Sequence, residues 1–103
     1  MKGYLILDKE QLGEITFKVI DENMGVIGGV LIPYPAYNKY KEKIQSLYDL
    51  NGIANSSDLN FVISFDGNII NPSGGIGVID SKEFDGIYVE SAGIDFDLIK
   101  SFF

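Results

Sequence analysis

Two-residue alternation is the feature that most constrains how this chain can fold. In Glu14-Ile15-Thr16-Phe17-Lys18-Val19 the apolar Ile15, Phe17 and Val19 fall on one side, and Glu14, Thr16 and Lys18 on the other. A half-buried antiparallel strand demands that rhythm. It returns in Asn60-Phe61-Val62-Ile63-Ser64-Phe65 and in Ile87-Tyr88-Val89-Glu90. Gly3-Tyr4-Leu5-Ile6-Leu7 and residues 76–79 add two short strands. Val26-Ile27-Gly28-Gly29-Val30-Leu31-Ile32 is apolar on both sides and predicts a more deeply buried strand. The glycine pair inside it marks a bulge, a sharp bend or a close approach by another element.

Turn signals separate these runs. Residues 8–13 form the first expected turn, and Asp21-Glu22-Asn23-Met24-Gly25 the second. Asp66-Gly67 is a two-residue hairpin signal, followed by Asn68-Ile69-Ile70-Asn71 as the return strand. Residues 53–58 and Pro72-Ser73-Gly74-Gly75 read as loops.

Pro33 and Pro35 end the apolar strand, and the period then changes. Tyr37, Tyr40, Ile44, Leu47 and Tyr48 recur at spacings of three and four, which predicts one long helix beginning at Pro35. Asn51-Gly52 is its stop, with Gly52 suited to the left-handed position past the helix end. Ile94, Leu98 and Phe102 lie four apart, and Asp95 and Asp97 suit a helix's first turn, so a short C-terminal helix is expected. The order predicts a single α+β domain, residues 1–103, with a mainly antiparallel sheet packed on one long helix.

Composition narrows the chemistry. The 103 residues contain no Cys and no His, so no thiolate nucleophile, imidazole base or zinc-thiolate site is available. The basic residues are all Lys, and with a net charge of −7 neither nucleic acid nor an anionic membrane is an expected partner. The absence of Cys and of any long apolar run points to a cytosolic protein, and Met1-Lys2-Gly3-Tyr4-Leu5-Ile6-Leu7-Asp8 is too short for a signal peptide.

No cofactor or metal is expected either. Gly25-x-x-Gly28-Gly29 and Gly74-Gly75-x-Gly77 match neither the dinucleotide fingerprint nor a phosphate loop. Asp66-Gly67-Asn68 and Asp95-Phe96-Asp97 space oxygen ligands two apart but do not continue into a calcium loop. The paired acids of the second half read as solvated rather than catalytic.

Where the charge lies says more. Residues 51–103 carry eight acids against two lysines, a net of −6, whereas residues 34–50 carry three lysines against two acids. An acidic surface steers a basic protein partner into contact. The stretch Asp80-Ser81-Lys82-Glu83-Phe84-Asp85-Gly86-Ile87-Tyr88 sets aromatic residues among acids, and aromatics anchor interfaces. Asp80, Glu83, Asp85, Tyr88 and Glu90 are therefore the expected partner-binding residues. Phe84 reads as core.

In size, acidity and build the whole chain resembles the immunity proteins of bacterial toxin–immunity systems, including those of contact-dependent growth inhibition. The resemblance implies a cytosolic inhibitor that neutralises one cognate toxin domain, often a basic nuclease, by covering its active site. Two other readings remain open. One is a ligand-binding or carboxylate-based enzyme domain with a pocket lined by Tyr37, Tyr40 and Tyr88. The other is a subunit of a larger assembly, joined through strand edges or Phe102-Phe103.

Overall fold

A computed structural model describes residues 1–65, 67–70, 72–83, 85–95, 97 and 100–101. Asp66, Asn71, Phe84, Phe96, Leu98, Phe102 and Phe103, which carry parts of the expectations above, lie outside the described residues.

Among the described residues, nine strands, all paired antiparallel, make one curled, half-barrel sheet. They are β1 (Lys2–Leu7), β2 (Glu10–Thr16), β3 (Lys18–Asp21), β4 (Val26–Pro33), β5 (Ala54–Asn55), β6 (Phe61–Phe65), β7 (Asn68–Ile70), β8 (Ile76–Ile79) and β9 (Ile87–Ser91). Across the sheet they run β5-β8-β9-β4-β2-β1-β6-β7, and β3 also pairs with β4. The α+β class with a mainly antiparallel sheet holds. Among the described residues, no helix is long and apolar enough to cross a membrane.

The first hairpin is tighter than residues 8–13 suggested. Leu7 pairs with Glu10, so only Asp8 and Lys9 turn. Both adopt positive φ, 50° and 68°, the conformation whose twist matches paired strands.

The alternating run 14–19 does not continue as one strand. It breaks at Phe17 into β2 and β3, which pair in succession along the same edge of β4. Ile15 and Phe17 face the core as expected, whereas Val19 is exposed. The bend works because Gly29 lies opposite it: a Cβ there would overlap the Thr16 carbonyl oxygen. Of the three meanings open for the glycine pair, close approach is the one realised. A register shift between Val19 and Asp21 adds a bulge at Ile20 and turns that side chain outward over Gly28.

β4 is not buried on both faces. Ile27 and Leu31 point into the core, but Val30 is 60% and Ile32 57% exposed. The apolar run predicts deep burial, and among the described residues only its concave side is covered.

The core fills that concave side. Leu5, Leu7, Leu12, Ile15, Phe17, Ile27, Leu31, Phe61, Ile63, Phe65, Val78 and Val89 are all nearly or fully buried. The Phe17 and Phe65 rings meet tilted at 5.2 Å, a favourable aromatic geometry.

The long helix expected from Pro35 is two elements. A 3₁₀ turn spans Pro35–Lys39, and α1 is an 11-residue helix at Lys41–Asn51. Tyr40 separates them with φ −113°, and no side chain caps α1 there. Spacing by three suits the tighter 3₁₀ turn, while the spacing of four from Tyr40 through Ile44 to Tyr48 suits α1. The sequence period blended the two. Tyr37 and Ile44 are fully buried, and Tyr40 and Leu47 pack partly against the core. Gly52 ends α1 in the left-handed conformation, as anticipated, with its N–H donating to the Tyr48 carbonyl.

The C-terminal segment is stitched to two loops. The N–H groups of Gly93 and Ile94 donate to the carbonyls of Met24 and Gly25, and Ser73 and Gly74 donate to Gly93 and Ala92. Asp97, Lys100 and Ser101 have helical backbone.

Substituting Gly29 by Ala is expected to lower stability by about 1–3 kcal/mol through overpacking against Thr16. Gly52→Ala meets no atom within 4 Å and should lose only about 1 kcal/mol from its left-handed φ. Urea unfolding of both variants, with unchanged slope, checks the order.

Candidate partner-binding surface

The five residues expected at a partner surface fall in three different settings. Asp80 is only 4% exposed. This corrects the expectation that it faces solvent, and the reason is the period of the preceding strand. Val78 points into the core, Ile79 points out, and the next inward step brings Asp80 to the core side. Its Oδ2 accepts the Tyr37 hydroxyl at 2.6 Å and its Oδ1 accepts Gln45 Nε2 at 3.2 Å. A buried carboxylate persists only when donors satisfy it. Asp80 thus ties the 3₁₀ turn and α1 to the end of β8. Beside it opens a cleft of about 410 Å3 flanked by Lys41, Lys82 and Asp85.

Glu83 sits in the loop after β8, exposed, with its N–H donating to Ser81 Oγ. Asp85 is exposed at the far end of the same loop. Tyr88 and Glu90 occupy alternate positions of β9 on the convex face, opposite to the buried Ile87 and Val89. Of the five, the structure gathers Asp85, Tyr88 and Glu90 along one side of the sheet, and leaves Asp80 inside.

What surrounds Tyr88 was not anticipated. Tyr88 pairs with Val30 across the β4–β9 ladder and with Ile79 across β8–β9. Tyr88 and Val30, together with Thr16, Lys18, Ile20 and Ile32, line a shallow groove of about 440 Å3. A second hollow, of about 310 Å3, continues past Tyr88 to Ile79, Ser81 and Asp85. Ile20 is 51% exposed, so three large aliphatic side chains and one aromatic ring stand on the convex face. The only sequence sign was the two-sided apolar character of residues 26–32.

Charge frames the groove. Glu14 shares the outer face with Ile32 and forms an ion pair with Lys2 at 3.5 Å. The Tyr88 hydroxyl is held above its ordinary pKa, first by partial burial and then by the Glu90 carboxylate.

The tyrosine-lined pocket does not form from the three residues that suggested it. Tyr37 is packed in the core with its hydroxyl on Asp80, and Tyr88 stands on the opposite side of the sheet. Comparison with known protein families, curated proteins and solved structures finds no match.

Burial and the Asp80 hydrogen bond push the Tyr37 hydroxyl far above its ordinary value of 10.0. The folded state therefore holds this proton more tightly than the unfolded chain. Its stabilising contribution is complete below pH 10.0 and is lost as the pH rises further. Tyr37→Phe should cost about 1–3 kcal/mol at neutral pH by leaving Asp80 short of a donor. It should also flatten the alkaline fall in stability, read by urea unfolding across a pH series.

Proposed function

We propose that this domain is a protein-binding inhibitor that receives a basic partner on the convex face of its sheet. In its most specific form it is a cytosolic immunity protein that covers the active site of a toxic nuclease domain. The observation that carries the reading is the apolar row of Ile20, Val30 and Ile32 beside Tyr88, which among the described residues is left open to water. Contiguous apolar surface with a central aromatic marks protein contact sites.

Charge supplies the nature of the partner. The groove itself holds one lysine and no acid, while Asp85 and Glu90 stand at its margins and the chain carries −7. Such a field speeds the encounter with a basic protein, and the apolar row then holds it. Without His or Cys, the chain has few groups suited to catalysis at neutral pH, which favours occlusion over chemistry.

The test is neutralisation. The C-terminal domain encoded just upstream of this gene is expressed in a bacterium with and without this chain; that domain is expected to stop growth and the chain to restore it. Val30→Asp alters an exposed side chain, so its thermal unfolding should stay close to that of the parent. Its affinity for the toxin domain should fall by about 100-fold, roughly 2.7 kcal/mol. Charge reversal at Glu83 and Asp85 should slow association and reduce its salt dependence, with a smaller effect on dissociation. A Val30→Asp variant that rescues and binds like the parent would remove the convex face from the interaction.

A further inference from the structure

On β9, Glu90 stands between two glycines. The residue directly across from it is Gly28 on β4 and Gly77 on β8. No side chain therefore shares its row on either adjacent strand. Neighbours lean over the gaps instead: the Tyr88 hydroxyl and Ile20 Cδ1 lie over Gly28, and Ile53 Cδ1 lies over Gly77.

Beyond Gly77 the surface sinks into a recess of about 320 Å3, with Glu90 as the charged residue of its wall. Ile53 and Ala92 line it with aliphatic carbon, Gly74 and Gly75 with bare backbone, and Ser56 and Ser57 with hydroxyls. Ser56 Oγ already accepts the Ile76 N–H, so its own proton faces outward to other acceptors or to water. Among the described residues no ion pair or hydrogen bond reaches the Glu90 carboxylate. Lys18, in the same row on the far side of Gly28, does not pair with it.

A carboxylate half-withdrawn from water and without a cation is a ready partner for one. The aliphatic wall suits the methylene stem of a long basic side chain, which buries its carbon while keeping its head polar. Hydroxyl and backbone oxygens around the carboxylate suit a group that only donates, and a guanidinium donates from five N–H bonds.

We propose that this recess is an arginine pocket: it takes a guanidinium on Glu90, with the aliphatic stem along Ile53. The same chemistry exists in a free alkylguanidine. The source assigned here is a side chain of the partner protein, and that assignment rests on the binding reading above. The pocket adjoins the apolar groove through Tyr88, so one partner segment can place an arginine on Glu90 and an apolar side chain between Ile20 and Val30.

The experiment follows backbone amide resonances of the full chain by NMR during titration with three probes: N-acetyl-arginine methylamide, agmatine and the uncharged N-acetyl-glutamine methylamide. Blocked arginine is expected to give saturable shifts at Gly75, Gly77 and Glu90, and the glutamine compound none. Glu90→Gln keeps the shape of the side chain, and well-dispersed spectra show that it folds. It should weaken blocked-arginine binding by about tenfold or more, the scale of one charge-assisted hydrogen bond. Lys18→Gln should bind at least as tightly as the parent.

No saturable shift in the parent, or equal binding in Glu90→Gln, would overturn the pocket. Agmatine binding about tenfold tighter than blocked arginine would assign it to a free guanidine and overturn the side-chain source. Failure of growth rescue with arginine binding intact would remove the inhibitor reading and leave the pocket standing. Rescue and affinity untouched by Glu90→Gln would leave the inhibitor and remove arginine capture from its mechanism.

Discussion

Strand β4 is the element on which the architecture turns. It pairs with β9 on one edge and with β2 and then β3 on the other, so five consecutive positions, 27–31, contact β9 while the opposite edge changes partner. The change requires the backbone at Thr16 to come close to Gly29, an approach that a side chain would block. From that bend follows the curl of the sheet, which gathers Leu5, Phe17, Ile63 and Val89 on one side and spreads Val30, Ile32 and Tyr88 on the other. An enclosed core and an uncovered apolar face are two consequences of one backbone contact.

A second constraint decides which face is covered. The crossover from β4 to β5 includes the 3₁₀ turn and α1, and it lies on the concave side, where Tyr37 and Ile44 enter the core. The Tyr37–Asp80–Gln45 hydrogen bonds hold it there. Polar tethers of this kind specify an arrangement more than they stabilise it, because most of their strength offsets the desolvation of the carboxylate. Among the described residues Ile20, Val30 and Ile32 stay exposed on the convex side.

Asp85, Tyr88 and Glu90 were legible as surface residues because period two along β9 sends Tyr88 and Glu90 outward, and the turn before Gly86 exposes Asp85. The same rule, carried one step past β8, places Asp80 inward, against the solvent preference of an acidic side chain. The aliphatic members of the groove were illegible for another reason. Ile20, Val30 and Ile32 are residues that ordinarily fill cores, and nothing local distinguishes a strand covered on both faces from one covered on a single face. The glycines flanking Glu90 belong to separate segments, Gly28 and Gly77, and acquire a common meaning only when three strands lie side by side.

By itself the sequence determined the class of the fold, most strand positions, the stop of α1 at Gly52 and the acidity that bears on partners. These depend on local periods, turn chemistry and composition, which act between residues close in the chain. Only the tertiary structure decided where the sheet bends, that Asp80 is a buried acceptor and not a surface charge, and that Glu90 stands alone between two glycines. Those outcomes depend on which strands become neighbours and on how closely their backbones approach, which no local stretch of the chain sets.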